Sequence, residues 1–322
     1  MKTIQGWHHV TNITSDAMKN YDFYTRVMGM RLLKKTVNQD DVTAYHTFFG
    51  DENASAGNDL TFFDFPGIPK SVRGTNAITS VGLRVPSDAA LEYWVKRFDE
   101  LGVKHEGIDT LFGVRGIRFE DFDGLRLRLL SDENQSGTAP GVANKFSDVP
   151  EEYGIVGLGT IEITVRHLQI QETFLVDQLG FTHDGEEAGV TRFKTGPGGN
   201  SSTIHVYVDQ KSQNEIQGYG SVHHIALRVA DNSELIETIE HVTQAQYPNS
   251  GFVDRHYFQS LYTRVGAILY EFATDTPGFT VDEPIETLGE SLSLPPFLAP
   301  KREAIERIVR PFNTKRVDYS KS

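Results

Sequence analysis

Two histidines and one glutamate in this 322-residue chain are of the residue types that bind a divalent metal. His9 opens the strand-like run His9-Val-Thr-Asn-Ile-Thr14, and His224 opens a similar run, His224-Ile-Ala-Leu-Arg-Val229. Glu271 lies in a third, largely apolar run. Two imidazoles and one carboxylate on separate strands can hold a metal and leave part of its coordination sphere open, as the facial triad of non-haem iron oxygenases does. This chemistry requires a fold that brings the two ends of the chain together.

Four segments of the chain, modules 1 to 4, share one order of elements, β-α-β-β-β. They span residues 6–66, 77–131, 155–209 and 221–275. Each begins with a strand-like run, continues with an amphipathic helix pattern and returns through further strand-like runs. Repetition of one supersecondary unit predicts an α+β fold in which the four βαβββ modules pair into two domains.

A polar stretch with glycine and proline divides the chain between modules 2 and 3. The predicted division is 1–135 for a domain of modules 1 and 2, 136–153 for the linker, 154–279 for a domain of modules 3 and 4, and 280–322 for a tail. A short helix is predicted over Lys301–Val309. The tail is expected to pack on the surface or to cover an entrance.

Alignment of the modules with one another selects one histidine from each adjacent pair. Neighbouring side chains of a strand point to opposite faces, so His8-His9 and His223-His224 cannot all be ligands. Matching Leu227-Arg-Val229 to Leu83-Arg-Val85 puts His9 and His224 at one module position, which is Ser80 in module 2 and Thr160 in module 3. The position of Glu271 becomes Arg128 in module 2, His205 in module 3 and Phe62 or Phe63 in module 1. Modules 1 and 4 must therefore face each other across one cleft, with one metal per chain.

A simpler interpretation exists for each of these residues. Either histidine pair alone could be two half-buried residues with ordinary hydrogen bonds. Glu271 is the stronger sign, because a glutamate between apolar neighbours is rarely buried without a partner. A metal would be that partner.

Composition excludes several classes of function. The chain has no cysteine, which rules out disulfides, thiolate ligands and cysteine nucleophiles. Its formal net charge of −13 disfavours a nucleic-acid partner. No apolar run is long enough to span a bilayer, and the first residues lack the features of a secretory signal. We expect a cytoplasmic protein that acts on a small molecule, and a homo-oligomer stays open.

The modules resemble those of the vicinal oxygen chelate superfamily, which includes glyoxalase I, thiol transferases of antibiotic resistance and extradiol dioxygenases. The whole chain is similar to one branch, the ring-cleaving dioxygenases linked to hydroquinone and quinone resistance. The resemblance rests on the runs 6–11, 21–30, 45–51, 60–63, 254–262 and 269–280. It implies two glyoxalase/extradiol-dioxygenase-like domains and a substrate that is a small aromatic diol, with O2 as the second reactant.

Three further residues are candidates for acid–base or hydrogen-bonding roles. Alternation places His256, Ser260 and Tyr262 on one face of a strand, and extradiol enzymes have a tyrosine and a histidine in this region. His46 lies on a strand of module 1 and could act as a base behind the metal. The alternatives are a sheet aromatic for Tyr262, a surface histidine for His256 and an internal, hydrogen-bonded histidine for His46.

The missing fourth ligand separates two kinds of chemistry. Glyoxalase-type isomerases usually fill four protein positions, whereas three ligands leave room for substrate oxygens and dioxygen. Imidazole and carboxylate without thiolate favour Fe(II), with Mn(II) or Zn(II) as alternatives. We therefore predict an Fe(II)-dependent extradiol-type dioxygenase with His9, His224 and Glu271 as ligands. A glyoxalase-like isomerase or thiol transferase, or a non-catalytic protein that binds aromatics or quinones, stays open.

Overall fold

The computed structural model of the protein describes residues 4–321, which form sixteen strands and five α-helices. The strands are β1 (Trp7–Ile13), β2 (Arg31–Val37), β3 (Tyr45–Gly50), β4 (Asp59–Asp64), β5 (Ala77–Val85), β6 (His105–Leu111), β7 (Val114–Glu120), β8 (Arg126–Ser131), β9 (Leu158–Val165), β10 (Thr182–Glu187), β11 (Val190–Lys194), β12 (Thr203–Val208), β13 (Ser221–Val229), β14 (Val253–Asp254), β15 (Phe258–Val265) and β16 (Ile268–Pro277). The helices are α1 (Ala17–Asp22), α2 (Asp88–Leu101), α3 (Leu168–Glu172), α4 (Asn232–Gln244) and α5 (Arg302–Ile308). Helices α1 and α3 continue as wider π-type turns over Phe23–Val27 and Thr173–Gln178.

The strands form two eight-stranded sheets. The first sheet has the order β14-β15-β16-β13-β1-β4-β3-β2, and the second has the order β10-β11-β12-β9-β5-β8-β7-β6. Antiparallel pairing of β1 with β13 joins module 1 to module 4, and pairing of β5 with β9 joins module 2 to module 3. The predicted α+β fold of paired modules is confirmed, and so is the prediction that module 1 meets module 4.

The hydrogen-bonded sheets do not follow chain order. The predicted division at residues 136–153 groups module 1 with module 2, whereas each sheet takes one module from either side of that segment. The edge of β1 finds its partner in β13, more than 200 residues away along the chain. The predicted domain boundaries follow the order of the chain and stay a prediction. Each sheet combines one module from each of the two predicted domains.

Three edge strands are implied by the βαβββ order of the modules, but the residue pattern assigns no run to them. Strands β6 and β10 are polar and largely exposed, and β14 has only two residues. Polar, exposed strands lack the apolar alternation by which strands are recognised. Each of them lies at or next to the edge of a sheet, where one side of the backbone is unpaired.

Side-chain caps and a glycine mark the ends of the helices. The carboxylate of Asp16 accepts hydrogen bonds from the amides of Met18 and Lys19 at the start of α1. Ser87 caps α2 in the same way, and Gly102 ends α2 with a left-handed φ of 68°. No helix among residues 4–321 is long and apolar enough to cross a membrane.

One hydrophobic core contains residues of both sheets and of the helices that cover them. Trp7 on β1 is buried in this core, and its indole nitrogen donates to the carbonyl oxygen of Gly159 at 2.8 Å. Gly159 belongs to β9, so this bond joins the first sheet to the second.

The tail packs against the first sheet. Lys34 on β2 is fully buried and donates to the carbonyl oxygen of Phe279 at 3.0 Å and to Asp282 at 2.7 Å. The ring of Phe279 contacts Phe48, with ring centroids 4.9 Å apart. The predicted helix over Lys301–Val309 is present as α5. The tail therefore forms part of the wall behind the cleft of the first sheet.

Candidate active site

Three neighbouring strands of the first sheet bring His9, His224 and Glu271 together. Strand β13, which carries His224, lies between β1 with His9 and β16 with Glu271. Ala226 pairs with His9 on one side and with Glu271 on the other, and it shares a face with His224. The small side chain of Ala226 leaves open the space that the three larger side chains surround.

The three polar atoms lie at nearly equal separations. Nε2 of His9 is 3.0 Å from Oε2 of Glu271, Nε2 of His224 is 2.8 Å from the same oxygen, and the two nitrogens are 3.2 Å apart. Adjacent ligands of an octahedral ion with bonds of about 2.1 Å are separated by about 3.0 Å. The cluster therefore has the dimensions of one face of an octahedron.

Burial and charge agree with a cation site. All three side chains are buried, and Oε2 of Glu271 forms no hydrogen bond. Burial opposes the ionised form of Glu271, but positive charge at the positions of His9 and His224 favours it and holds the pKa of the carboxyl well below the ordinary value. Burial lowers the pKa of His224, so its imidazole is neutral. One carboxylate and neutral imidazole are the forms that bind a metal ion.

In each adjacent pair, the histidine that is not a candidate ligand contacts the one that is. Nδ1 of His8 is 2.9 Å from Nδ1 of His9, and Nδ1 of His223 is 2.7 Å from Nδ1 of His224. The pairing of β1 with β13 contains two β-bulges, and the extra residues are His8 on β1 and His223 on β13. A bulge breaks the strict alternation of side chains, so the two rings of each pair remain in contact.

These contacts determine which nitrogen of His9 carries the proton. Burial lowers the pKa of His8 to about 3, so its ring is neutral at neutral pH. Its Nε2 lies 3.0 Å from the carbonyl oxygen of Thr274, which only accepts, so Nε2 of His8 is the protonated nitrogen. Nδ1 of His8 then accepts from Nδ1 of His9. Nε2 of His9 is left with its lone pair facing Glu271 and His224.

The other oxygen of Glu271 is also held in place. The hydroxyl of Ser260 on β15 donates to Oε1 of Glu271 at 2.5 Å, and Ser260 is fully buried. This bond orients the carboxylate and leaves Oε2 for the cluster. Hydrogen-bonded partners of this kind orient metal ligands in proteins.

The position that could supply a fourth ligand is Thr61. Glu271 pairs with Ala226, which lies two residues after His224, and the residue two after His9 is Thr11, which pairs with Thr61. The prediction of Phe62 or Phe63 at this position is wrong, because the parallel register of β1 and β4 sets it one residue earlier than Phe62. A threonine is still no carboxylate. Its hydroxyl donates to Thr11 at 2.8 Å and lies 2.9 Å from Nε2 of His46.

Aromatic side chains surround the cluster. Phe48, Phe63, Tyr257, Phe258 and Tyr262 line the cavity that contains the three polar atoms. The free space is about 50 Å³, whereas a cavity of about 150 Å³ accommodates benzene. The site is therefore the right chemical kind for an aromatic ring, but the cavity must widen before a ring can enter.

An ion pair spans the cavity. Arg255 forms two hydrogen bonds with Asp40, at 3.1 and 2.9 Å, and both residues line the cavity. Asp40 lies in the loop between β2 and β3, and Arg255 lies just before β15. The pair therefore joins module 1 to module 4 at the cavity.

Tyr262 and His46, both predicted as functional, line the same cavity. The ring centroids of Tyr262 and His224 are 6.0 Å apart, and Nε of Arg255 donates to the hydroxyl oxygen of Tyr262 at 3.2 Å. Burial raises the pKa of Tyr262, so its hydroxyl stays protonated and can donate. Burial lowers the pKa of His46 well below its ordinary value, so its ring is neutral.

His256 is not brought to the cluster. It precedes β15, which begins at Phe258, and it has a left-handed φ of 67°, so alternation along the strand does not extend to it. Its Nε2 lies 3.9 Å from a carboxylate oxygen of Asp282 in the tail. A role for His256 beside the substrate would need a rearrangement of this segment.

Sequence reasoning missed four residues that contact the cluster. His8, His223 and Ser260 hold the three candidate ligands, and Phe258 packs against His9 with ring centroids 5.2 Å apart. The doubled histidines were the visible signal for two of these residues. Strict alternation predicts that only one histidine of each pair faces the site. The β-bulges that keep both rings in contact cannot be recognised from the residue pattern.

Comparison with known proteins agrees with this fold. A family model described as the glyoxalase/bleomycin resistance protein/dioxygenase superfamily matches residues 6–129. The "Putative ring-cleaving dioxygenase MhqA" of Bacillus subtilis (strain 168) is 43% identical over 315 residues, which are 96% of this chain and 99% of that protein. The crystal structure of a "putative dioxygenase" from Bacillus subtilis subsp. subtilis str. 168 superposes with a TM-score of 0.90 at 32% identity, over 98% of this chain and 100% of that one.

A relative with a named substrate is more distant. The chlorohydroquinone/hydroquinone 1,2-dioxygenase of Sphingobium indicum is 27% identical, over 94% of this chain and 95% of that protein. The paired βαβββ modules define a vicinal oxygen chelate protein, and the chain belongs to the glyoxalase/bleomycin resistance protein/dioxygenase superfamily. Within it, the chain groups with the ring-cleaving dioxygenases that these relatives represent.

Proposed function

We propose that the protein is an extradiol-type dioxygenase that opens a hydroquinone-like aromatic diol with O2, at one Fe(II) bound by His9, His224 and Glu271. Mn(II) and Zn(II) are the alternative ions. The observation that carries the proposal is the set of three separations, 2.8, 3.0 and 3.2 Å, between the candidate ligand atoms. Their spacing fits one face of an octahedron and leaves the opposite face for substrate and O2.

The donor set supports Fe(II) as the working ion. Two imidazoles and a carboxylate with open positions are typical of non-haem Fe(II) oxygenases. When bound, the ion would supply Lewis acidity to a phenol oxygen and a neighbouring position for O2. Thr61 at the fourth position supports three protein ligands over the four that are usual in glyoxalase-type isomerases.

The residues of the chain then have distinct roles. The rings of Phe48, Phe63 and Phe258 pack against the aromatic substrate and keep water from the reacting atoms. The protonated hydroxyl of Tyr262 donates a hydrogen bond to a substrate oxygen. His46 is neutral and lies 2.9 Å from the hydroxyl of Thr61, so it can hold that hydroxyl by a hydrogen bond without placing a charge beside the metal ligands.

The substrate that we propose for this site is a hydroquinone rather than a catechol. The Sphingobium relative is named for chlorohydroquinone and hydroquinone and for cleavage between ring positions 1 and 2. That bond adjoins a single hydroxylated carbon, so only one phenol oxygen needs to be next to the metal. The side chains of Asn38, Gln39 and Arg255 supply polar groups to the same cavity for the second hydroxyl.

The test is metal content and oxygen uptake of anaerobically purified protein. We expect about one iron per chain in the wild type, loss of that iron in Glu271→Ala, and oxygen consumption with methylhydroquinone that exceeds consumption with catechol. Glu237→Ala, on the exposed face of α4, is the matched control and should behave as the wild type.

Other results would select the alternatives. Bound zinc or nickel with isomerase activity and no oxygen uptake would identify a glyoxalase-like enzyme. Binding of methylhydroquinone by metal-free protein, unchanged in Glu271→Ala and without turnover, would identify a non-catalytic binding protein. Either result contradicts the proposal.

A further inference from the structure

The second sheet contains positions that are equivalent to those of the two histidines and the glutamate in the first sheet. Strand β8 pairs with β5 so that Arg128 faces Gly82, just as Glu271 faces Ala226. By the same register, Ser80 takes the position of His224, Thr160 that of His9 and His205 that of Thr61. A guanidinium thus stands where the first sheet has its carboxylate, and the charge preference of the place is reversed.

A cavity lies at this place. It has a free volume of about 200 Å³, four times that of the cavity in the first sheet. Arg128, Thr160 and His205 line it, together with the cationic side chains of Arg192 and Lys194. No carboxylate is among its lining residues in the described part of the chain. In a protein with a net charge of −13, a cavity lined by three cations is unusual.

Two buried nitrogen atoms of residues that line this cavity have no partner. Nε of Arg128 and Nδ1 of His205 form no hydrogen bond, although these residues are only 2% and 4% exposed. The carboxylate oxygen of Glu162 lies 4.0 Å from Nδ1 of His205, which is beyond hydrogen-bonding distance. A buried donor left unpaired destabilises the fold. Nε of Arg128, and Nδ1 of His205 in the tautomer that carries its proton there, therefore call for an acceptor that the chain itself does not supply.

The charged groups that line the cavity are all cationic. Arg128 is paired with Asp109, and Arg192 and Lys194 are paired with Asp184, but neither carboxylate lines the cavity. Burial lowers the pKa of His205 to about 3, so its ring adds no charge. The lining therefore favours a ligand with a negative charge.

The shape of the cavity favours a flat ligand. The ring of Phe112, at the tip of the hairpin between β6 and β7, lies 5.0 Å from the ring of His205. The guanidinium of Arg192 lies 4.2 Å from the centroid of Phe112. These planar groups contact one another and all line the cavity. A flat ligand can pack against them, and its carboxylate matches the planar donors of an arginine.

We propose that the cavity of the second sheet binds a small, flat monocarboxylate, whose oxygens accept hydrogen bonds from Arg128 and His205. This site is separate from the triad, and it does not depend on a metal. The same register that makes modules 1 and 4 a cation site makes modules 2 and 3 an anion site. The proposal holds whether or not the protein is a dioxygenase.

Calorimetric titration of the full-length protein with benzoate tests the proposal. We expect benzoate to bind the wild type and Glu271→Ala with equal affinity, because the triad plays no part. Arg128→Met should weaken binding at least tenfold. Arg126→Met is the matched control, because Arg126 lies two residues earlier on β8 and does not line the cavity. Benzamide, which has the same shape without the charge, should not bind.

Arg128 pairs with Asp109, so its replacement could disturb folding. Circular dichroism shows whether it does, and His205→Leu then provides a second variant, for which we also expect at least tenfold weaker binding. Failure of the wild type to bind benzoate would overturn the proposal. So would loss of binding in Glu271→Ala, unchanged binding in both Arg128→Met and His205→Leu, or binding of inorganic phosphate as tight as that of benzoate.

Discussion

Nδ1 of His8 lies 2.9 Å from Nδ1 of His9, and this contact between neighbours on one strand orients the candidate metal ligand. The chain of contacts runs from the carbonyl oxygen of Thr274 through His8 to His9. It leaves Nε2 of His9 unprotonated, as a metal ligand must be. His223 stands in the same relation to His224. Each adjacent pair of histidines therefore consists of one candidate metal ligand and one residue that orients it.

Replacing His8 by phenylalanine should weaken metal binding and leave the fold intact. Phenylalanine fills the buried space but accepts no hydrogen bond from Nδ1 of His9. Loss of such a supporting contact typically lowers metal affinity by about 10- to 100-fold. Competition with a metal chelator measures the change. His183→Phe, at a half-exposed histidine of β10, is the control, and equal affinities in the two variants would contradict the role of His8.

Ala226 should tolerate loss of its methyl group but not a larger side chain. Valine at this position would project between His9 and Glu271, into the space that a metal needs. We expect Ala226→Val to lose the metal, with a stability cost of about 1–3 kcal/mol from overpacking. Ala226→Gly keeps that space free and should retain the metal. Metal analysis of the two variants tests this, and full occupancy in Ala226→Val would place the metal elsewhere.

A glutamate at Thr61 should complete a four-ligand site. Thr61 occupies the position that corresponds to Glu271 in the other half of the sheet. We expect Thr61→Glu to bind metal at least as tightly as the wild type but to lose oxygen uptake at least tenfold, because the new carboxylate takes an open position. Thr61→Val is the control for loss of the hydroxyl. Retained oxygen uptake in Thr61→Glu would show that this residue does not face the metal.

Asp121 should make stability depend on pH. Burial raises the pKa of its carboxyl to about 7, against about 3.9 in an unfolded chain. The folded protein therefore holds a proton on Asp121 that the unfolded chain has lost at the same pH. The free energy of unfolding should fall as the pH rises towards 7, by about 2.6 kcal/mol between pH 5 and 8.

Asp121→Asn removes this loss, because an amide does not ionise. Denaturant unfolding of metal-free protein at pH 5 and pH 8 measures the difference between the wild type and the variant. Glu100→Gln, at an exposed carboxyl of α2, should show the pH dependence of the wild type. An identical fall in stability for the wild type and Asp121→Asn would contradict the assignment.

The sequence was sufficient for the modules and for the pairing of module 1 with module 4. Strand and helix patterns are local, and a repeated pattern can be aligned with itself. His9, His224 and Glu271 followed from that alignment, because equivalent positions in equivalent modules meet at the same place in a sheet. The structure places these three residues in one cluster.

Only the tertiary structure decided the surroundings of that cluster. Thr61, not Phe62 or Phe63, faces the fourth position, because the register of parallel strands is set by hydrogen bonds between distant segments. The bulges at His8 and His223, the bond from Ser260 to Glu271 and the displaced His256 depend on such contacts too. A residue pattern records which side chains prefer burial, but the geometry between strands is fixed only when they pair.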